Sequence, residues 1–226
     1  MKYLIFDAGP IISLTMNGLL PVLEKLKEGF DGEFVVTPAV RKEILDKPLK
    51  IQKFKLEAMQ VQKLFDKGVL VSSTKIVPTS KLQKESSRIL KLANNSLKST
   101  KTHQRIKIIH DGEASCMAFS NLCSCDNLIV IDERGTRILI ESPESMKNLL
   151  SKKLGTEVVE VGDSLHKFKK QRFIRSAELM YVAHKKGYMQ ETTKEFLDAV
   201  LYALKFKGTA ISIKEIEEIK DMVVKK

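Results

Sequence analysis

The sequence predicts an α/β fold: a mainly parallel sheet flanked by helices, followed by a small helical C-terminal extension. Three observations carry that prediction. Short apolar runs alternate with stretches of helical period over residues 2–161, the pattern of a chain that returns to one sheet through crossover helices. Two of the runs end on an aspartate, Asp7 after KYLIF and Asp132 after LIVI, and open parallel sheets bind their ligands beyond such strand ends. Beyond Gly162 the pattern is helical only. There Thr192-x-x-Glu195 and Ser212-x-x-Glu215 read as capping boxes ahead of apolar-periodic runs.

Residues 2–6 form the first buried strand, and Ala8-Gly9-Pro10 turns the chain into an apolar helical run over 11–26. A second strand covers 33–36. Thr37-Pro38 then opens a helix, because threonine caps and a proline in the first turn gives up an N–H that lacks a partner there. That helix carries Val40, Glu43 and Ile44 and stops at Pro48. Ile51, Phe54, Ala58, Val61 and Phe65 recur at alternating intervals of three and four, an amphipathic helix closed by Gly68. Residues 69–71 read as a third strand. Within 72–110, Leu82, Ile89, Ala93 and Leu97 share one helical face and Lys84, Arg88 and Lys91 the opposite one. The flanks of that segment are rich in Ser, Thr and Lys and read as loops. Asp111-Gly112-Glu113 opens a helix that is apolar nearly all round and must therefore be buried. Residues 128–131 make the next strand and 157–161 a further one.

The 226 residues carry 39 Lys and Arg against 28 Asp and Glu, a formal charge of +11. The excess is local. Lys75, Lys81, Lys84, Arg88, Lys91, Lys98, Lys101, Arg105 and Lys107 face one acid, Glu85, within 72–110, and Lys167, Lys169, Lys170, Arg172 and Arg175 form a second cluster. Localised positive charge points to a polyanionic partner, because neutralising phosphates releases condensed counterions. A solvated lysine-rich surface accounts for the same composition. With 43% hydrophobic residues the chain can bury a core, which excludes wholesale disorder. The longest uncharged stretch, 8–23, contains Gly9, Pro10, Gly18 and Pro21, short of the roughly 20 apolar residues of a membrane span. Asp7 interrupts the apolar start, so no secretory signal is expected. Cys116, Cys123 and Cys125, odd in number, make no disulfide framework. The expectation is a soluble cytoplasmic protein without a membrane partner.

Glu43 and Glu113 stand in the first turns of helices that face the same rim as Asp7 and Asp132. Each acid alone has a structural account: Asp after a strand starts a turn, and an acid in a first helical turn suits the helix dipole. Four on one rim repel one another unless a cation lies among them, and a purely carboxylate site suits Mg²⁺ or Mn²⁺.

The segments LIFDAGPIISL, VTPAVRKEIL, DGEASCMAFS and LIVIDERGTR resemble, in order and approximate spacing, the PIN-domain family of metal-dependent nucleases, which includes the VapC-type toxins of prokaryotic toxin–antitoxin pairs. The resemblance covers 1–162, with a basic insertion at 72–110. The extension at 163–226 is similar to the helical C-terminus of one prokaryotic PIN subgroup. The resemblance implies a PIN-like three-layer fold and an endoribonuclease that uses Mg²⁺ or Mn²⁺. Asp7, Glu43, Glu113 and Asp132 would be its catalytic, metal-binding quartet, with Glu133 as an auxiliary ligand. Such an ion polarises the scissile phosphate and activates water. Lys84, Arg88, Lys91, Arg134 and Arg137 are the candidate nucleic-acid contacts. RNA is favoured over DNA by the family alone, and an antitoxin protein and a homodimer are the further partners it implies.

The chain also departs from the family. Ala8 stands where many PIN domains have Ser or Thr, Ile131 where many have Thr, and Glu133 where many have Asp. The first rival reading is a PIN-fold module that holds RNA or a protein and cuts slowly or not at all. An aspartyl phosphatase using Asp7 is opposed by Gly9, where haloacid dehalogenase-like enzymes have a second Asp. A zinc site of His110, Cys116, Cys123 and Cys125 is opposed by its spacing.

Overall fold

The computed structural model describes residues 2–123, 126–162, 165, 168 and 171–224. Its centre is the strand β1 (Tyr3–Phe6), in which all four residues are buried. Burial on both faces is what a parallel strand covered by crossover helices requires. β2 (Glu33–Val36), β3 (Leu70–Ser72), β5 (Asn127–Val130) and β7 (Phe173–Ile174) complete a five-stranded parallel sheet in the order β3-β2-β1-β5-β7. With its helices the sheet makes the expected three-layer α/β fold. In register Phe6 pairs with both Val36 and Val130. The strands therefore end level, which sets Asp7, Thr37 and the residues after Val130 along one edge.

The apolar run after Asp7 is two helices, α1 (Ala8–Met16) and α2 (Leu20–Glu28). Gly18 separates them with φ 69°, a left-handed turn that ends one helix and re-aims the next. α3 (Pro38–Arg41) opens as predicted: Thr37 Oγ1 accepts a hydrogen bond from the Val40 N–H, and Pro38 takes the first turn. The chain then widens into a single π-helical turn at Lys42–Asp46 and tightens into 3₁₀ turns at Pro48–Lys50 and Gln52–Phe54. The predicted helix from residue 51 consequently starts later, as α4 (Lys55–Asp66). Ala58, Val61 and Leu64 face the core, whereas Ile51 and Phe54 are 47% and 43% exposed, because the 3₁₀ turns break the helical period that would have carried them inward.

The basic segment contains α5 (Thr79–Ser96), which packs along α6 (Asp111–Leu122), and the short strand β4 (Leu97–Ser99). Leu82, Ile89 and Ala93 are buried on α5 as predicted, and Leu97 is buried in β4. α6 is buried along most of its length, and its Phe119 ring meets Tyr3 of β1 edge-on at 5.6 Å. α7 (Arg134–Glu141) and α8 (Pro143–Leu154) follow β5. β6 (Val158–Glu160) is the strand expected near 157–161, but it pairs antiparallel with β4 away from the main sheet.

The stretch beyond Gly162 is not helical only. β7 adds to the main sheet beside β5 before α9 (Ser176–Lys185), α10 (Lys194–Phe206) and α11 (Ile213–Val224). Two paired residues are too few to leave an alternating pattern in the sequence. Ser212 and Glu215 form the expected capping box. At α10 the cap is Thr193, one residue later than read. Among the described residues no helix is long and apolar enough to cross a membrane.

Phe119 is fully buried against the central strand, so Phe119→Ala is expected to cost about 3–5 kcal/mol through lost burial and the cavity left behind. Urea unfolding followed by circular dichroism measures it.

Candidate acidic site

Asp7 follows β1 in extended conformation (φ −77°, ψ 168°) and precedes the first turn of α1. Glu43 lies in the π-helical turn, an irregularity that often re-aims a side chain at a functional site. Glu113 lies in the first turn of α6, 5% exposed. It accepts from the His110 N–H in a capping arrangement and from Thr136 Oγ1 at 2.9 Å. The starts of α3 and α6 are tied by the Thr37 and Ser115 hydroxyls, and Ser115 Oγ also donates to the Gly112 carbonyl at 2.7 Å.

These elements bring Asp7, Glu43, Glu113 and Glu133 to the wall of one cavity of about 260 Å³, with His110 at its edge. Gly112 permits the approach. A Cβ on it would stand 3.2 Å from Asp7 Oδ1, close enough to press on that carboxylate, and would touch Glu43 Oε1 at 3.4 Å. Beside it, a groove of about 410 Å³ separates the π-helical turn from α5. Lys42 and Lys47 stand on one side, Thr79, Gln83, Ser86 and Ser87 of α5 on the other, and Glu43 borders both spaces. The insertion at 72–110 thus supplies a wall of the groove that leads to the acids.

Burial and repulsion from neighbouring acids raise the pKa values of Asp7 and Glu113. Asp7 is pushed up to about 6, chiefly by burial, with Glu43 and Glu133 adding repulsion and the Ala8 and Gly9 N–H groups pulling the other way. Glu113 is raised strongly by burial and by a hydrogen bond and repulsion from Glu133. A neighbouring carboxyl and burial both favour the protonated form of Glu113.

Asp132 is placed differently. It is 4% exposed and does not border the acidic cavity. Its Oδ1 accepts from the Ser176 N–H at 2.8 Å and from Ser176 Oγ at 2.9 Å, and its Oδ2 from Ser176 Oγ at 2.8 Å and Thr209 Oγ1 at 3.0 Å. Burial raises its pKa, and those donors lower it. Ser176 and Thr209, 44 and 77 residues away in sequence, carry no local signal that sequence reading could have used.

The remaining predicted residues divide. Lys84, Arg88 and Lys91 are exposed on α5 as expected, but Glu85 holds Arg88 through two hydrogen bonds of 2.8 and 2.7 Å. Arg134 and Arg137 line a separate cavity of about 630 Å³ with Glu141 and Glu215, not the acidic one. Of the second basic cluster, Arg172 pairs with Asp126 and Arg175 with Glu178 and Glu215, while Lys167, Lys169 and Lys170 lie outside the described residues. Of the rejected zinc set, Cys116 is fully buried with Sγ 3.6 Å from the Phe6 carbonyl, and Cys125 lies outside the described residues.

Among the described residues no three His, Cys, Asp or Glu side chains stand in an arrangement that could hold a metal ion. Comparison with protein-family models, with curated proteins and with solved structures found no match.

A carboxyl whose pKa is raised by folding holds its proton more tightly in the folded chain than in the unfolded one. Its contribution to stability is full below the ordinary value of 3.8 and is lost as the pH rises through about 6 for Asp7. In metal-free buffer the protein is therefore expected to lose stability between about pH 4 and pH 7. Asp7→Asn should flatten that slope and gain about 1–3 kcal/mol at neutral pH. Chemical denaturation across that range measures both.

Proposed function

We propose that the protein is a Mg²⁺- or Mn²⁺-dependent nuclease that hydrolyses RNA, with Asp7, Glu43 and Glu113 as its acids. One observation carries the reading. Carboxylates from β1's end, from the π-helical turn and from α6 line a single cavity at the carboxyl edge of a parallel sheet, where such sheets act on their ligands. The donor type, though not the present arrangement of the side chains, suits a hard divalent ion: the acids lining the cavity offer carboxyl oxygens, and the backbone at Gly112 leaves them the space a Cβ would fill. Asp7 and Glu113 have pKa values raised by burial and by neighbouring acids, so a cation bound among them should release protons. When bound, the ion would polarise a phosphate oxygen and lower the pKa of the attacking water.

The chain's own residues do the rest. Asp7, Glu43 and Glu113 supply carboxyl oxygens at the reaction centre, and Thr136 and the His110 N–H fix the Glu113 carboxyl. Lys42 and Lys47 contact the phosphates of a strand lying in the adjoining groove, against the uncharged polar face of α5. Preference for RNA rests on the resemblance to PIN domains, as do an antitoxin partner and a homodimer. A second reading, a PIN-like module that binds without cutting, is favoured by the absence of a metal-ready arrangement among the described residues.

Cleavage of end-labelled single-stranded RNA with Mn²⁺, Mg²⁺ or EDTA separates the two. The nuclease reading expects metal-dependent cutting that falls about 100-fold or more in Asp7→Asn and Glu113→Gln. Intact RNA that still shifts in a gel would establish the binding module. Lys42→Ala with Lys47→Ala should lower the slope of binding against log salt by about 1–2, whereas Arg88→Ala, its charge already met by Glu85, should leave it unchanged.

A further inference from the structure

We infer that Asp132 is the anchor that docks the C-terminal segment onto the sheet, and that its neighbour Glu133, not Asp132, is the fourth carboxylate of the acidic cavity. The second half rests on the metal-dependent reading above; the first stands on geometry alone.

Every hydrogen bond to the Asp132 carboxylate comes from the segment beyond β7: the Ser176 N–H, the Ser176 hydroxyl and the Thr209 hydroxyl. The two hydroxyl oxygens stand 2.9 Å apart, so either can donate to the other in place of Asp132. The Asp132 main-chain carbonyl takes the Ala210 N–H at 3.0 Å. From the far side, Arg175 Nη1 donates to the Ala210 carbonyl at 3.1 Å and to Glu215 Oε1 at 2.6 Å. One aspartate therefore gathers the start of α9, the chain before α11 and, through Arg175, the first turn of α11 itself. Its carboxylate meets the first N–H of α9, where the helix dipole favours a negative charge.

An anchor so engaged is poorly available to a cation. A carboxylate has about four lone-pair sites, and turning Asp132 toward the cavity would strand two buried hydroxyls and an N–H. Glu133 has the opposite surroundings: it is exposed and borders the cavity beside Glu113. The reason is local. Glu133 is in extended conformation (φ −73°, ψ 133°), and successive side chains along extended backbone point to opposite sides. Of two adjacent acids after β5, one faces inward and the other the cavity.

The test uses the full chain and three variants, Glu133→Gln, Ser176→Ala and Asp132→Asn. Mn²⁺ binding is read by calorimetry, and metal-free folding by thermal unfolding and amide hydrogen exchange. Glu133→Gln is expected to weaken Mn²⁺ binding about tenfold or more with its melting temperature nearly unchanged. Ser176→Ala should lower the melting temperature by about 3–8 °C and speed exchange in α9 and residues 209–212 more than in β1. Its Mn²⁺ affinity should stay within about threefold of wild type. The assignment of Glu133 is overturned if Glu133→Gln binds Mn²⁺ like wild type, or if Asp132→Asn loses binding while exchange and melting stay put. The anchor is overturned if both Ser176→Ala and Asp132→Asn leave exchange in α9 unchanged. Should wild type bind no Mn²⁺, the metal-dependent reading fails, and the exchange data alone still decide the anchor.

Discussion

Carboxylates crowded into low dielectric at the end of a parallel sheet are the constraint around which this molecule is arranged. Ionised and unpaired, such groups would each cost several kcal/mol. The chain meets the cost in three ways. Asp132 accepts hydrogen bonds from Ser176 and Thr209 that oppose the upward push of burial on its pKa. Glu113 is fixed by the His110 N–H and the Thr136 hydroxyl, and burial with the neighbouring acids pushes its pKa up. Asp7 titrates near neutrality, with the start of α1 only partly offsetting its burial. The first solution builds structure. The other two store a preference for positive charge that no lysine or arginine satisfies among the described residues: the ion pairs leave Asp7 out, and Glu113 has only the His110 ring at 3.5 Å.

That division follows from topology. A level register at Phe6, Val36 and Val130 brings several chain segments to the same edge. Residues that emerge there must either point back into the fold or over the rim. Asp132 points back and fastens the C-terminal segment; Asp7 and Glu133 border the cavity. The segment beyond Gly162 is consequently bound into the same sheet edge as the acids, through β7 as well as through Ser176 and Thr209.

The sequence made legible what local physics governs. Buried strands announced themselves as apolar runs, the α3 cap as Thr37-Pro38, and the buried helix α6 by being apolar nearly all round. The acids were legible as residues, but their directions were not. Asp132 and Glu133 differ in role because of hydroxyls 44 and 77 positions from Asp132, and nothing near Ser176 or Thr209 marks them. β7 escaped because two residues make no period, and the Gly18 turn because it interrupts a run that stays apolar on either side. Ile51 and Phe54 kept a helical spacing that 3₁₀ turns cancelled. Composition likewise located the basic excess but not its use: Glu85 takes Arg88, while uncharged residues of α5 line the groove.

Placement also limits how the site can change. Gly112 cannot gain a side chain without pushing on Asp7, and Thr136 cannot lose its hydroxyl without leaving a buried Glu113 oxygen short of a donor. Glu43 sits on a π-helical turn, one residue wider than an α-turn. Regularising that turn would rotate its carboxylate away from the cavity while improving local helix geometry. Sites that keep a strained or repulsive arrangement at the expense of stability are those where function holds the sequence away from its folding optimum. The acids facing this cavity meet that description and Asp132 does not, which separates the part of the rim left repulsive from the part that fastens the fold.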